Sequence, residues 1–115
     1  MQRAPEKLLG GKWEAGAAGS ALKGETALDC AKREVREETG VDRGTFTEVG
    51  RIRSDAYHVH YVEFFCLTDV PKDAICLQDG ETVAFRWVTK DELNSLPSDV
   101  LITRRIRQFL PDWEL

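Results

Sequence analysis

The spacing of apolar positions divides the chain into stretches of different character. Residues 1–17 are rich in Gly and Ala and hold few periodic apolar positions. Leu8-Leu9-Gly10-Gly11-Lys12-Trp13 reads as a loop leading into a short extended piece, and Gly16, Gly19 and Gly24 punctuate a turn region. From Thr26 the period becomes helical. Thr26 is a good N-cap residue, Asp29 three positions on makes a capping-box-like pair, and the acidic start suits the helix dipole. Leu28, Ala31 and Val35 form an apolar stripe, and Gly40 supplies the glycine that ends a helix. The pattern predicts a helix over about 26–39.

After Gly40 the period shortens. Residues 45–55 and 57–68 are rich in Thr, Val, Ile, Tyr and Phe and read as two strands, with a hairpin tip near Ser54-Asp55-Ala56. Residues 69–80 read as a loop containing Pro71 and Gly80. Thr82 to Val88 reads as another strand, and Asp91-Glu92-Leu93 as the start of a short helix. A last helix is expected from about Ser98 to Leu110, with Val100, Leu101, Ile106 and Leu110 on its apolar side. Helices mixed with mostly antiparallel strands predict an α+β chain, arranged as a layered α/β/α sandwich.

Composition narrows the class. With 115 residues the expectation is a single domain. Hydrophobic residues make up 42% and charged residues 31%, the balance of a folded globular protein and not of a disordered one. The net charge of -4 argues against non-specific nucleic-acid binding, which runs on cationic surfaces, and suits an acidic site that recruits divalent metal. The polar N-terminus does not resemble a signal peptide, and the longest greasy run, around Phe64-Phe65-Cys66-Leu67, is strand-sized, so no membrane association is expected. Cys30, Cys66 and Cys76 form no ligand-type spacing and fit reduced core thiols in a cytoplasm.

The predicted helix also carries an arrangement with no benefit to a bare helix. Glu34, Glu37 and Glu38 stand at i, i+3 and i+4 and share one face. Such neighbours repel by a few tenths of a kcal/mol per pair. A hard divalent cation converts that repulsion to attraction, and Mg²⁺ prefers carboxylate oxygens. Arg33, four residues before Glu37, can pair within the cluster and orient a carboxylate. Taken alone, an Arg-Glu-x-x-Glu-Glu string is more often a solvated charged surface.

The flanks decide otherwise. Gly19, Glu25, Arg33, Glu34, Val35, Glu37, Glu38, Gly40 and Val41 match every defined position of Gly-x5-Glu-x7-Arg-Glu-U-x-Glu-Glu-x-Gly-U, where U is a bulky aliphatic. The segment resembles the box of the Nudix hydrolase family. The resemblance implies a Nudix fold, a mixed sheet flanked by helices, whose loop–helix–loop box binds metal that bridges a substrate's pyrophosphate. It implies Glu37 and Glu38 as principal ligands, Glu34 as a further ligand or water-positioning group, and the Gly19 carbonyl completing the shell. Glu25 and Arg33 would support them. The implied cofactor is Mg²⁺ or Mn²⁺, and the implied reaction is hydrolysis of a phosphoanhydride bond in a nucleoside diphosphate linked to another moiety. In such chemistry the metal neutralises developing phosphate charge and a carboxylate eases removal of a proton from water.

Outside the box, Glu81 ahead of Phe85-Arg86-Trp87-Val88 and Lys90-Asp91-Glu92-Leu93 resembles the family's downstream stretch, where a glutamate reaches the metal or acts as general base; the plain alternative is a surface glutamate at a strand start. His58 and His60 alternate on a predicted strand and would share a side, without a third ligand to make a metal site. Trp13, Tyr57, Tyr61 and Phe85 are read as core before nucleobase contacts. Arg51, Arg53, Arg104 and Arg105 are read as solvent-facing before phosphate contacts.

Two departures from the family pattern matter. The lead before Gly19 is short, and Gln2-Arg3-Ala4-Pro5-Glu6-Lys7 resembles only the end of the family's usual lead, so the expectation is that an N-terminal strand is missing. An open sheet edge would favour a homodimer. The stretch Gly11 to Ser20 resembles the branch related to isopentenyl-diphosphate isomerase, which places a cysteine before the glycine and a histidine after it. Here Ala18 and Ser20 hold those places, so a hydrolase is expected and isomerisation is not. The alternative from another class is a truncated, non-catalytic Nudix domain that binds a nucleotide or a protein. Nucleoside triphosphates, nucleotide sugars, ADP-ribose and dinucleotide cofactors all stay open as substrates.

Overall fold

A computed structural model describes residues 1–103 of the chain. Its main helix, α1, spans Ala27–Thr39. The Thr26 side chain accepts a hydrogen bond from the Asp29 amide at 3.1 Å, satisfying one of the free N–H groups of the first turn. Gly40 adopts the left-handed conformation, φ 76°, and its amide donates to the Arg36 carbonyl at 2.9 Å, so the stop is the one the glycine predicts.

The two strands that follow are β2, Thr45–Ser54, and β3, Val59–Leu67. They pair antiparallel from Thr45↔Leu67 to Ser54↔Val59, with a bulge between Glu48 and Gly50. The turn occupies residues 55–58, and His58 sits in it with φ 53°. His58 and His60 therefore do not alternate along one strand as the sequence pattern predicts. The turn claims His58, and only His60 belongs to β3.

The rest of the sheet structure is built from short pieces. β1, Gln2–Arg3, pairs antiparallel with β4, Thr82–Ala84. Gln2 also bridges Trp13 antiparallel, and Trp13 bridges Leu101 in parallel. The order is thus β4, β1, Trp13, Leu101, with mixed strand directions, in keeping with the α+β class. Ladder bonds fix it: Trp13 N donates to Val100 O at 2.8 Å, Ile102 N to Trp13 O at 3.0 Å, and Arg3 N to Lys12 O at 2.9 Å. The buried apolar residues include Ala4 and Leu101 in this region and Cys30 and Val41 on and just beyond α1.

Two predicted elements are shorter than their sequence pattern. The strand expected over Thr82 to Val88 ends at Ala84. Beyond it, side chains replace the ladder: Arg86 stands 5.6 Å from the centroid of the Trp13 ring, and Trp87 Nε1 donates to Lys72 O at 2.8 Å. Lys72 begins a 3-10 turn, Lys72–Ala74, within the predicted loop. The short helix α2 spans Lys90–Ser95, with Thr89 Oγ1 accepting from the Glu92 amide. No helix starts at Ser98, because residues 98–100 turn and Leu101 joins the ladder beside Trp13. The remainder of that expected helix, with Arg104 and Arg105, lies outside the described residues.

Candidate active site

The site is assembled by one residue, Arg33. It lies on α1 with its side chain largely withdrawn from solvent, and its guanidinium reaches back to the loop before the helix. Nε donates to Glu25 Oε2 at 2.8 Å and Nη2 to Glu25 Oε1 at 3.0 Å, a bidentate pair. Nη2 also donates to the Ser20 carbonyl at 3.1 Å. Nη1 is shared between Glu34 Oε1 at 2.8 Å and Glu37 Oε2 at 3.1 Å. Arg33 thus fixes the incoming loop against the helix and orients two of the three clustered carboxylates. Glu25 itself closes the turn, accepting from the Leu22 amide at 3.0 Å. The Arg33 hydrogen bonds hold its carboxyl down at about 2, so it stays charged.

Gly19 lies against Glu34. A side-chain carbon at position 19 would collide with the Glu34 carboxyl group, which occupies the place a Cβ would fill. Close approach, and not a left-handed φ, favours glycine here, since any Cβ would have to displace the Glu34 carboxyl group. The adjacent Ala18 amide donates to Glu38 Oε2 at 3.3 Å. The loop at Ala18 and Gly19 is thereby held against two carboxylates of α1.

Glu38 is the electrostatic centre of the group. Its carboxyl is pushed up to about 7, first by burial and then by the charges of Glu34 and Glu14; the Ala18 amide works in the opposite direction. A carboxyl that retains its proton near neutrality is one whose charge this pocket does not balance unaided. Glu37 differs: 44% of its side chain is exposed, and its carboxylate pairs with Arg33. Glu14, which precedes the box, was not singled out by the motif, and its carboxylate is paired with Arg3 at 2.6 Å. Glu81 stands elsewhere in the contact pattern. Its carboxylate pairs with Lys7, and its carbonyl accepts from the Ala4 amide at 3.0 Å, tying the N-terminal loop to the start of β4.

A hard divalent cation suits this donor set in kind. Glu34 and the Gly19 backbone touch, Glu38 lies beside Glu34, and Glu37 is one turn away on the same helix. Among the described residues, no three His, Cys, Asp or Glu side chains already close around one point. Glu34 and Glu37 are turned to Arg33, which serves as their counter-charge.

A family model described as NUDIX domain matches residues 1–114. The chain belongs to the Nudix family. Two curated relatives agree. An uncharacterized Nudix hydrolase of Listeria monocytogenes is 38% identical over 91 residues, 75% of this chain and 51% of the relative. An uncharacterized Nudix hydrolase of Listeria innocua is 38% identical over 90 residues, with the same shares covered. The chain spans about half the length of these curated relatives. Nudix hydrolases generally use divalent metal ions, consistent with the acidic character of the box. Among the described residues no helix is long and apolar enough to cross a membrane.

Of the remaining sequence candidates, the two hairpin arginines are engaged in pairs of their own. Arg51 pairs with Glu48 at 2.8 Å and Arg53 with Asp55 at 2.8 Å, both on the exposed surface of the hairpin. Tyr57 is exposed in the turn, and Phe85 is exposed after β4. Cys30, Cys66 and Cys76 are free thiols, but the expectation that all three lie in the core holds for Cys30 alone, which is buried against Arg33 and the Gly19 carbonyl; Cys66 is half-buried and Cys76 exposed.

Proposed function

We propose that this Nudix domain hydrolyses a phosphoanhydride bond in a nucleoside diphosphate linked to another moiety, using Mg²⁺ or Mn²⁺. The observation that carries the reading is the Arg33 network, which holds Glu25 of the box loop against Glu34 and Glu37 of α1 while the Gly19 backbone lies against the Glu34 carboxyl group. A divalent cation among these carboxylates would remove the repulsion between them. Glu34, Glu37, Glu38 and the Gly19 carbonyl are the residues that would hold it. When bound, a metal there would supply charge neutralisation for phosphate oxygens.

The chain's own residues do the positioning. Arg33 and Glu25 keep the box loop on the helix, and Arg33 limits the orientations open to Glu34 and Glu37. Glu81 is the candidate general base outside the box, with Lys7 as its counter-ion. The Ala18 and Ser20 positions carry neither a thiol nor an imidazole, which favours hydrolysis over isomerisation. We place the protein in the cytoplasm, where its three cysteines stay reduced, and propose a homodimer joined through the hairpin, on which Tyr57 and Leu67 stand exposed.

The test is phosphate release from a panel of nucleoside di- and triphosphate derivatives with Mg²⁺ and Mn²⁺. Glu38→Gln should lower turnover by at least about a hundredfold, the scale on which a residue stabilising the transition state acts. Chelator should stop activity. Turnover that survives chelation, or a Glu38→Gln variant as fast as the parent, would refute the mechanism. No turnover on any compound by folded protein would favour a nucleotide- or protein-binding module instead.

A further inference from the structure

We propose that the face of α1 opposite the box carboxylates binds the phosphoryl group of a small organic phosphate, held by Lys32, Arg36 and Arg43. Lys32 and Arg36 stand four positions apart on α1 and so lie side by side. Glu34 and Glu38 follow each of them by two positions, about 200° around the helix. The basic pair and the acidic cluster therefore occupy opposite faces. The acidic cluster also has partners of its own: Glu34 and Glu37 pair with Arg33, and Glu38 accepts from the Ala18 amide. Among the described residues, neither Lys32 nor Arg36 forms an ion pair. That holds even though Asp29 lies one turn before Lys32 on the same helix.

The chain beyond Gly40 builds a wall against this face, and its backbone is fixed. The Val41 amide donates to Thr39 Oγ1 at 3.2 Å, and Val41 is buried. The Arg43 carbonyl accepts from Thr68 Oγ1 at 2.7 Å. Phe46 is paired with Cys66 across the hairpin. An open cavity of about 170 Å³ remains, and its lining includes Lys32, Arg36, Val41, Asp42, Arg43 and Phe46. Three cations thus face one carboxylate in a chain whose net charge is -4. Arg43 Nε donates to Asp69 at 2.7 Å, which leaves both Nη atoms without a hydrogen bond among the described residues. Asp69 lies outside the lining and is 86% exposed, so it neutralises Arg43 only weakly.

Like charges four apart on a helix cost a few tenths of a kcal/mol. Arg36, in the last turn, is repaid by the helix dipole; Lys32, a turn earlier, is not. A phosphoryl dianion supplies the missing counter-charge to both and accepts several hydrogen bonds at once. Arg43 and Arg36 offer planar forks to its oxygens, and Lys32 a point charge. Val41 and the half-buried ring of Phe46 add an apolar wall, which suits the organic part of a phosphomonoester better than it suits free phosphate. The cavity has the size that accepts about one aromatic ring and is smaller than sites that enclose a whole drug-sized ligand.

The experiment is calorimetric titration of the full chain with phenyl phosphate and with inorganic phosphate, in chelator, so that no metal bridges either probe to the box. The proteins are the parent, Lys32→Gln, Lys32→Arg, Arg43→Gln, the Lys32→Gln/Arg36→Gln double variant and Glu38→Gln, each checked for folding by circular dichroism. Phenyl phosphate should bind saturably and more tightly than inorganic phosphate. Lys32→Gln and Arg43→Gln should each weaken it roughly tenfold, the scale of one charge-assisted hydrogen bond. The double variant should lose binding, and Lys32→Arg should keep most of it. Glu38→Gln should bind as the parent does, so loss of turnover in that variant speaks to the box alone. Three results would overturn the proposal: no saturation at roughly 10 mM probe, parent-like affinity in the double variant, or inorganic phosphate bound as tightly as phenyl phosphate.

Discussion

At the scale of single residues, the box was the most legible part of the chain, because its chemistry depends on residue type at fixed spacing. Glu34, Glu37 and Glu38 share a helix face, and Arg33 reaches the carboxylates as its position predicts. The setting of Glu14 was not legible: its ion pair with Arg3 accompanies the tertiary pairing of the neighbouring Trp13 with Gln2 and Leu101. The proton on Glu38 makes a prediction about stability. Its folded value of about 7 lies above the ordinary 4.5, so between those values the folded state binds more protons than the unfolded one. The stabilisation is fully present below pH 4.5 and is lost as pH rises through 7. In chelator, thermal midpoints of the parent should fall across that window, and Glu38→Gln should flatten the fall; equal slopes for the two proteins would show that Glu38 titrates normally. The Gly19 contact makes a second prediction. Gly19→Ala adds a carbon where the Glu34 carboxyl sits and must displace it. Metal-dependent turnover should drop about tenfold or more with circular dichroism unchanged, a cost of the kind seen when a ligand loses its supporting contact. Unaltered turnover would mean that Glu34 is free to move aside.

At the scale of elements, local signals were reliable where one segment decides its own structure. α1 begins and ends where Thr26 and Gly40 place it, since capping and a left-handed glycine are local. β2 and β3 likewise follow their composition. The signals failed where distant residues intervene. The apolar run after Ala84 leaves the ladder because Trp13 and Lys72 hold Arg86 and Trp87 by their side chains. The turn at 55–58 takes His58 out of the strand. The caps of α1 can be tested by substitution. Thr26→Ala removes the acceptor for the Asp29 amide and should cost about 1 kcal/mol. Gly40→Ala forces a Cβ into a left-handed residue and within 3.2 Å of Cys76 Cβ, and should cost about 1–2 kcal/mol or more. Chemical denaturation followed by helical circular dichroism measures both. A Gly40→Ala variant as stable as the parent would show that the helix end relaxes out of the left-handed conformation.

At the scale of the whole molecule, the described residues show two paired regions of different character. Among the described elements the hairpin β2–β3 packs chiefly on itself, and an isolated two-stranded hairpin is only marginally stable in water. Its register puts Leu67, Phe65, Ile52, Tyr61 and Val59 on one face and Phe46, Cys66, Phe64 and Val62 on the other. Apolar residues on both faces are the pattern of strands covered on both sides. The sequence made these strands legible but not what covers them, because the covering surface is a property of distant chain. The other place is the ladder of β4, β1, Trp13 and Leu101, and it bears directly on the site. Trp13 sits in its middle and passes the chain through Glu14 to the loop that meets the box helix. Leu101 is the largest fully buried side chain of the described residues, 2% exposed, and its backbone neighbours close the ladder on Trp13. Leu101→Ala would leave a cavity where few other apolar residues are buried, so the surroundings have little to collapse with. Urea unfolding should show a loss of about 2–5 kcal/mol. That is a large part of the 5–15 kcal/mol typical of a domain, so the variant should be partly unfolded at moderate temperature. A loss under about 1 kcal/mol would place the effective core elsewhere, under the hairpin, and would detach the stability of the site from the Trp13–Leu101 pairing.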